Sequence, residues 1–311
     1  MVLSFIKSER NAAVFIVLAG LLGLIFANQI IGFEESVKPV HHFAELALAV
    51  FFFYIGLELK DELTNGVFVN RKALLIPGFA ALIGALVPAG LYYLVTYSDP
   101  IANKGWAIPM ATDITFALAV FTIFGSRMPK GSRQFLLAFA IIDDLLAILV
   151  IAIFLRSDVV TALIVTGSAV VGLLIPSRFT HRLQDFLLPV INLIVLPFYA
   201  FSSLGIKLDT SITAVVTSVV GIGVLLRVVG KSIGITFGAF IGSKFSRDSL
   251  SLKTYARLSV LGGIGFTVAF FVNDIVFKEQ DVLHKQALIA SLLAALITVL
   301  VAAFTLRIKQ K

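Results

Sequence analysis

Apolar runs long enough to cross a lipid bilayer recur from one end of this 311-residue chain to the other, and no polar stretch between them could make a separate soluble domain. A spanning helix needs about 20 mostly apolar residues. Such runs fall near 11–31, 43–64, 73–95, 106–125, 135–155, 159–176, 186–206, 212–242, 258–277 and 286–306. Lipid offers the backbone no hydrogen bonds, so spans of this length are helical. The sequence therefore predicts an all-α polytopic membrane protein of about ten transmembrane helices in a single domain, 1–311. With 59% hydrophobic and 14% charged residues, it is far more apolar than a soluble domain.

The formal charge of +7 could point to nucleic acid, but its distribution points to membrane orientation. With the amino terminus in the cytoplasm, 17 basic residues lie inside, among them Lys7, Arg71, Lys72, Arg247, Lys309 and Lys311. Six, including Lys38 and Arg156, lie outside. That bias is the positive-inside rule and predicts both termini in the cytoplasm, with no nucleic-acid partner. The first span continues into ANQIIGF without a small-x-small cleavage pattern, so it reads as a retained helix rather than a secretory signal. With no cysteine, disulfides and thiolate chemistry are excluded. His41, His42, His181 and His284 fall in polar connections rather than in a cluster with metal-ligand spacing, and no cofactor is expected.

Against this apolar background the charged residues within spans stand out. In LLAFAIIDDLLAILVIAIF, residues 136–154, Asp143 and Asp144 sit side by side. The 13 Leu, Ile, Val and Phe residues there favour insertion by roughly 0.5 kcal/mol each and each acid costs about 3 kcal/mol, so the segment comes out near zero. Intramembrane acids usually face a bundle interior or a wet cavity and mark an ion or proton path. Neighbours on a helix point about 100° apart, so one acid can line the cavity while the other reaches another helix. Lys231, deep within GVLLRVVGKSIGITFGAF, is the candidate partner; Arg227 lies one turn earlier on the same face, as a structural ion pair or a transport group. The Gly-Lys-Ser there is not a phosphate-binding loop, because Leu225 stands where that motif needs glycine.

Two spans carry interruptions. In GWAIPMATDITFALAV, Pro109 removes a helix hydrogen bond, and the freed carbonyls with the oxygens of Thr112 and Asp113 offer hard ligands or a charge facing unwound chain. In LGGIGFTVAFF, Gly262, Gly263 and Gly265 precede Thr267; alone, such a cluster marks a close helix-packing face more often than a break. The two spans are the middle members of three-span units, 73–155 and 212–306, that enter the membrane in opposite senses. The pattern predicts two inverted repeats whose broken helices cross at the midplane beside the substrate site.

These segments, with FFFYIGLELKDEL, LPFYAFSSLGIKL and VVGKSIGI, resemble in order those of the bacterial NhaA Na⁺/H⁺ antiporter family. That family is itself one of the systems from which the inverted-repeat rule was drawn. The resemblance implies a secondary active transporter of the bacterial inner membrane, not an enzyme, exchanging cytoplasmic Na⁺ or Li⁺ for external H⁺ electrogenically and under pH regulation. It implies that Asp144 is the main cation ligand and proton carrier and that Asp143 pairs with Lys231 or joins the site. Asp113 and Thr112 would balance the dipole ends at the crossing, and Glu58 and Glu62 would line a cytoplasmic funnel and contribute to pH activation. Three departures stand out. One span, TALIVTGSAVVGLLIPSR, replaces the three usual before LPFYAF; the connection GFEESVKPVHH is shorter than the hairpin that supports a homodimer in the family; and Gln184 and Asp185 stand where the family tends to carry Glu and His. A sodium-coupled solute symporter of related fold and a transport-inactive shortened relative remain alternatives. An intramembrane aspartyl protease built on Asp113 with Asp143 or Asp144 lacks a Gly-x-Gly-Asp motif and leaves Lys231 unexplained.

Overall fold

A computed structural model describes residues 9–66, 73–154, 159–246 and 249–308. Among them the chain is helical, without strands. In order the helices are α1 (Glu9–Gln29), α2 (Phe33–Asn65), α3 (Leu75–Thr96), a 3₁₀ segment (Ala102–Met110), α4 (Ile114–Phe124), α5 (Ser132–Phe154), α6 (Val159–Leu174), α7 (Ser177–Val190) and α8 (Leu196–Ser203). There follow α9 (Ile212–Thr217), α10 (Val219–Leu225), α11 (Arg227–Ser243), α12 (Leu252–Ser259), a further 3₁₀ segment (Val260–Gly263), α13 (Thr267–Val276) and α14 (Asp281–Arg307).

Among the described residues six helical stretches are long and apolar enough to cross a membrane, three bent pairs qualify together, and Leu163–Leu174 is a shorter apolar helix. These fall on the ten runs read from the sequence, and the chain is a multi-pass membrane protein. Lys7, Arg71, Lys72, Arg156, Arg247, Lys309 and Lys311, used above to orient it, lie outside the described residues, as do the side chains of Lys38 and His42.

The chain divides into two compact units, residues 1–69 with 151–209 and residues 70–150 with 210–311. In the first, α2 and α6 meet through small residues. A Cβ on Gly56 would lie 2.0 Å from the Ala169 carbonyl oxygen, and one on Gly172 would lie 2.2 Å from that of Phe53. Lipid gives no hydrophobic drive between helices, so such close backbone approach is what holds them. Helix α1 approaches α8 in the same way at Gly23, facing the Phe201 carbonyl, and the rings of Phe26, Phe33 and Phe201 meet edge to face. Pro189 cannot donate into the helix ladder, and the chain continues through one π-turn, Ile191–Val195, before α8.

The second unit holds nearly all of the two expected three-span repeats. Their first members, α3 and α10–α11, lie against each other in opposite directions. Gly223 faces Tyr92, Gly230 faces Pro88, Gly234 faces the Ile83 carbonyl, Gly238 that of Phe79, and Gly242 faces Ile76. Partner numbers fall as the glycine numbers rise, which is the antiparallel arrangement that inverted repeats require. The middle members are bent at their breaks by 43° (Ala102–Met110 against Ile114–Arg127) and 52° (Leu252–Gly263 against Thr267–Val276).

The seam makes a prediction. A Cβ at Gly238 would stand 2.2 Å from the Phe79 carbonyl oxygen, whereas nothing lies within 4 Å of one at Gly90. Gly238→Leu should destabilise the folded protein by about 1–3 kcal/mol, the range for overpacking. In detergent this reads as a lowered melting temperature, with Gly90→Ala unchanged as the control.

Candidate functional site

The site is built where the two broken spans cross. Beyond Pro109, Ala111 (φ −64°, ψ 135°) and Asp113 (φ −107°, ψ 102°) are extended. Beyond Gly263, Ile264 is extended too (φ −77°, ψ 104°). The two stretches pair through Asp113 N–H, which donates to the Ile264 carbonyl at 2.7 Å. A Cβ on Gly265 would lie 2.4 Å from the Ala111 carbonyl oxygen, so the crossing admits only glycine there. The glycine cluster is thus both a break and a close-packing face.

Helices that stop inside a membrane strand backbone groups that water would otherwise satisfy. Here the partners can be traced. Four consecutive carbonyls leave the first half of the second broken span. Gly262 O accepts from Thr112 Oγ1 at 2.8 Å, Ile264 O from Asp113 N–H, and Gly265 O from Arg227 Nη2 at 3.0 Å, while Thr298 Oγ1 lies 3.5 Å from Gly263 O and donates to Ala294 O at 2.7 Å. The Met110 carbonyl, ending the first half of the other span, accepts from Lys231 Nζ. At the amino-terminal ends Asp113 is the residue preceding α4, and its carboxylate accepts from Thr267, the first residue of α13, through the hydroxyl at 2.5 Å and the backbone N–H at 3.3 Å. Each helix start carries about half a positive charge, so one carboxylate between two of them is well placed. Thr112 and Asp113, each 4% exposed, stand where the sequence put them.

Asp143 and Asp144 lie mid-helix on α5, 3% and 6% exposed. Lys231, fully buried, holds Asp143 with Nζ at 2.9 and 3.2 Å from its two oxygens. The divergence of adjacent side chains on a helix gives Asp144 a different direction. The structure thus brings Asp143, Lys231 and the end of the first broken half together, and Thr112, Asp113, Thr267 and Arg227 around the crossing. Among the described residues, no three His, Cys, Asp or Glu side chains cluster as they would around a tightly held metal.

Glu58 and Glu62 lie in the first unit, near the end of α2. Glu58 is within electrostatic reach of Glu62 and Asp61, and Tyr54, one turn earlier, is within reach of Glu58 and of Asp185 on α7. His181 of α7 approaches Asp61 at 3.4 Å, so this acidic helix end faces a titratable group that the sequence reading had left in a loop. A second pair went unnoticed. Asp274, 3% exposed near the end of α13, lies 2.7 Å from His284 Nε2 on α14, while Asn273 donates to the His284 carbonyl. The signal was present, since FFVNDIV places an acid inside an apolar run.

Asp113 sits where two helix starts need an acceptor, and this can be tested. Asp113→Ala would leave the Thr267 hydroxyl and N–H buried without their carboxylate, at about 1–3 kcal/mol. A lowered melting temperature should follow, with Asp113→Asn between alanine and the parent.

The family model described as Na⁺/H⁺ antiporter 1 matches residues 3–181 and 170–306. A protein of Shewanella sp. (strain ANA-3) named Na⁺/H⁺ antiporter NhaA is 32% identical over 369 aligned positions, covering 94% of this chain and 95% of its own length. One from Shewanella sp. (strain W3-18-1), with the same name, is 33% identical over 80% of this chain and 79% of itself. One from Vibrio cholerae serotype O1 (strain M66-2) is 29% identical over 90% of each chain. The Shewanella ANA-3 alignment is longer than the chain, so that relative carries residues absent here, in keeping with a shortened form. The chain belongs to the Na⁺/H⁺ antiporter 1 family.

Proposed function

We propose that this protein exchanges cytoplasmic Na⁺ or Li⁺ for external H⁺ in a bacterial inner membrane, electrogenically and under pH control, in the service of sodium and pH homeostasis. Both termini face the cytoplasm, as the distribution of basic residues favours. The observation that carries the reading is the buried acidic doublet on α5, one member held by a buried ammonium that also reaches the end of an interrupted helix. The naming of the Shewanella and Vibrio relatives as Na⁺/H⁺ antiporters supports it.

The mechanism is competition. A hydrated Na⁺ gives up water only for oxygens that replace it, and Asp144 and Asp143 supply these only when deprotonated. A proton arriving at either carboxylate removes that negative charge and expels the cation. The empty, doubly charged site is the costly form to move through a closed state, so access alternates only when cations or protons occupy it. Lys231 is set to leave Asp143 as Na⁺ enters; its ammonium, no longer paired, gives up a proton beside the one that leaves Asp144. When Na⁺ departs both groups are reprotonated and Lys231 pairs with Asp143 again, so that more than one proton returns per cation. Glu58 and Glu62, in their acidic cluster with Asp61, form the pH-responsive region.

In everted membrane vesicles, the parent should dissipate a respiration-generated ΔpH on addition of Na⁺ or Li⁺. Asp144→Asn, present at equal abundance, should lose that response by about 100-fold or more, the effect of removing the main carboxylate for which cation and proton compete. An undiminished response in Asp144→Asn sinks the assignment. A parent that fails in vesicles and in liposomes alike is a transport-inactive relative, and organic solute uptake that requires Na⁺ identifies a symporter.

A further inference from the structure

Helix α11 carries two cations one turn apart, Arg227 and Lys231, and both are fully buried. Residues four apart share a helix face, where like charges repel. Burying a second one beside the first is expensive in a membrane, so its retention calls for a physical reason.

The geometry separates their tasks. Lys231 reaches the Met110 carbonyl, where the first half of the first broken span ends, and shares its ammonium with Asp143. Arg227 reaches the other broken span. Its Nη2 donates to the Gly265 carbonyl at 3.0 Å, in the break that follows Val260–Gly263, and to the Ser291 carbonyl of α14 at 3.1 Å. One helix face therefore places Lys231 on the carbonyl that ends the first half of one broken span and Arg227 on a carbonyl in the break just beyond the first half of the other. A helix end of this kind carries about half a negative charge. The charge of Lys231 is already answered by Asp143, whereas both hydrogen bonds of Arg227 go to carbonyls, so its charge is set against the helix end. Its surroundings are shaped for it. A Cβ on Gly265 would stand 2.7 Å from Arg227 Nη1, and Thr267, two residues beyond Gly265, is the donor to Asp113.

We propose that Arg227 is a positioning residue of the cation site: a permanent counter-charge at the break that follows the carbonyl end of the second broken span, which leaves Lys231 free to pair with Asp143 in the cation-free state and keeps the unopposed field of that helix end away from the cation ligands. The inference rests on the reading of Asp143 and Asp144 as the exchange site.

The test compares Arg227→Gln, which keeps polar reach without charge, with Arg227→Lys, which keeps charge without the planar fork. Na⁺-dependent exchange is measured in proteoliposomes, and Na⁺ binding to purified protein is followed as a cation-induced rise in melting temperature. Without the counter-charge, the helix end adds its negative field to that of the carboxylates. Arg227→Gln should therefore hold Na⁺ more tightly, with the apparent KM lowered about threefold or more and the maximal rate reduced, while Arg227→Lys stays near the parent. A merely structural arginine gives the reverse order. KM unchanged or raised in Arg227→Gln, or lysine no closer to the parent than glutamine, overturns the proposal. Should Arg227→Gln fail to fold, Arg227→Lys decides: a folded protein with parental KM supports the charge role, and a lysine variant that also fails to fold overturns it. A parent that neither exchanges nor binds Na⁺ refutes the proposed function instead. The order of melting temperatures without Na⁺, lysine above glutamine, then still reads the charge of Arg227.

Discussion

Everything distinctive in this protein depends on two helices being broken where no water can satisfy their ends. Each interruption inside a bilayer exposes carbonyls on one side and N–H groups on the other. In this chain those groups are met by Thr112, the Asp113 backbone and carboxylate, Arg227 and Lys231. The crossing thereby becomes a small, charged, polar region in an otherwise apolar body, and the acidic doublet of α5 reaches it through Lys231. An ion site needs such a region, because a cation gives up its hydration only where fixed oxygens and a suitable net charge replace it.

A buried ion pair is weak evidence for stability, since desolvation offsets most of its attraction. That bears on Asp143 and Lys231. In the proposed mechanism such a pair, set among interrupted helices, is a group of exchangeable contacts: the ammonium, a proton and a metal ion each satisfy the same carboxylates. The glycine seam between α3 and α11 supplies the complementary property, a rigid base against which the broken spans are held.

Much of this was legible in the sequence, and for a physical reason. Spanning length and hydrophobicity are one-dimensional properties, so all ten runs could be marked, and charged residues inside them, Asp113, Asp143, Asp144 and Lys231, declared themselves by their cost. The break at Pro109 was readable from its missing N–H. The division into two compact units was not, because it depends on which helices pack together, and small-residue contacts such as Gly56 with Ala169 leave little trace in composition. The acceptors of Arg227 were hidden as well, since backbone carbonyls have no letter of their own. His181 and His284 were read as loop residues, and only the folded chain brings them to Asp61 and Asp274.

The central claim is that a metal ion and protons contend for one pair of carboxylates. Its most direct test is calorimetric titration of the purified protein with Na⁺ at several pH values, in buffers of different ionisation enthalpy so that released protons are counted. The account predicts that Na⁺ binding expels protons and that affinity falls with acidification, by about tenfold per pH unit for each proton displaced. Sodium affinity that is independent of pH, with no proton released, would contradict it.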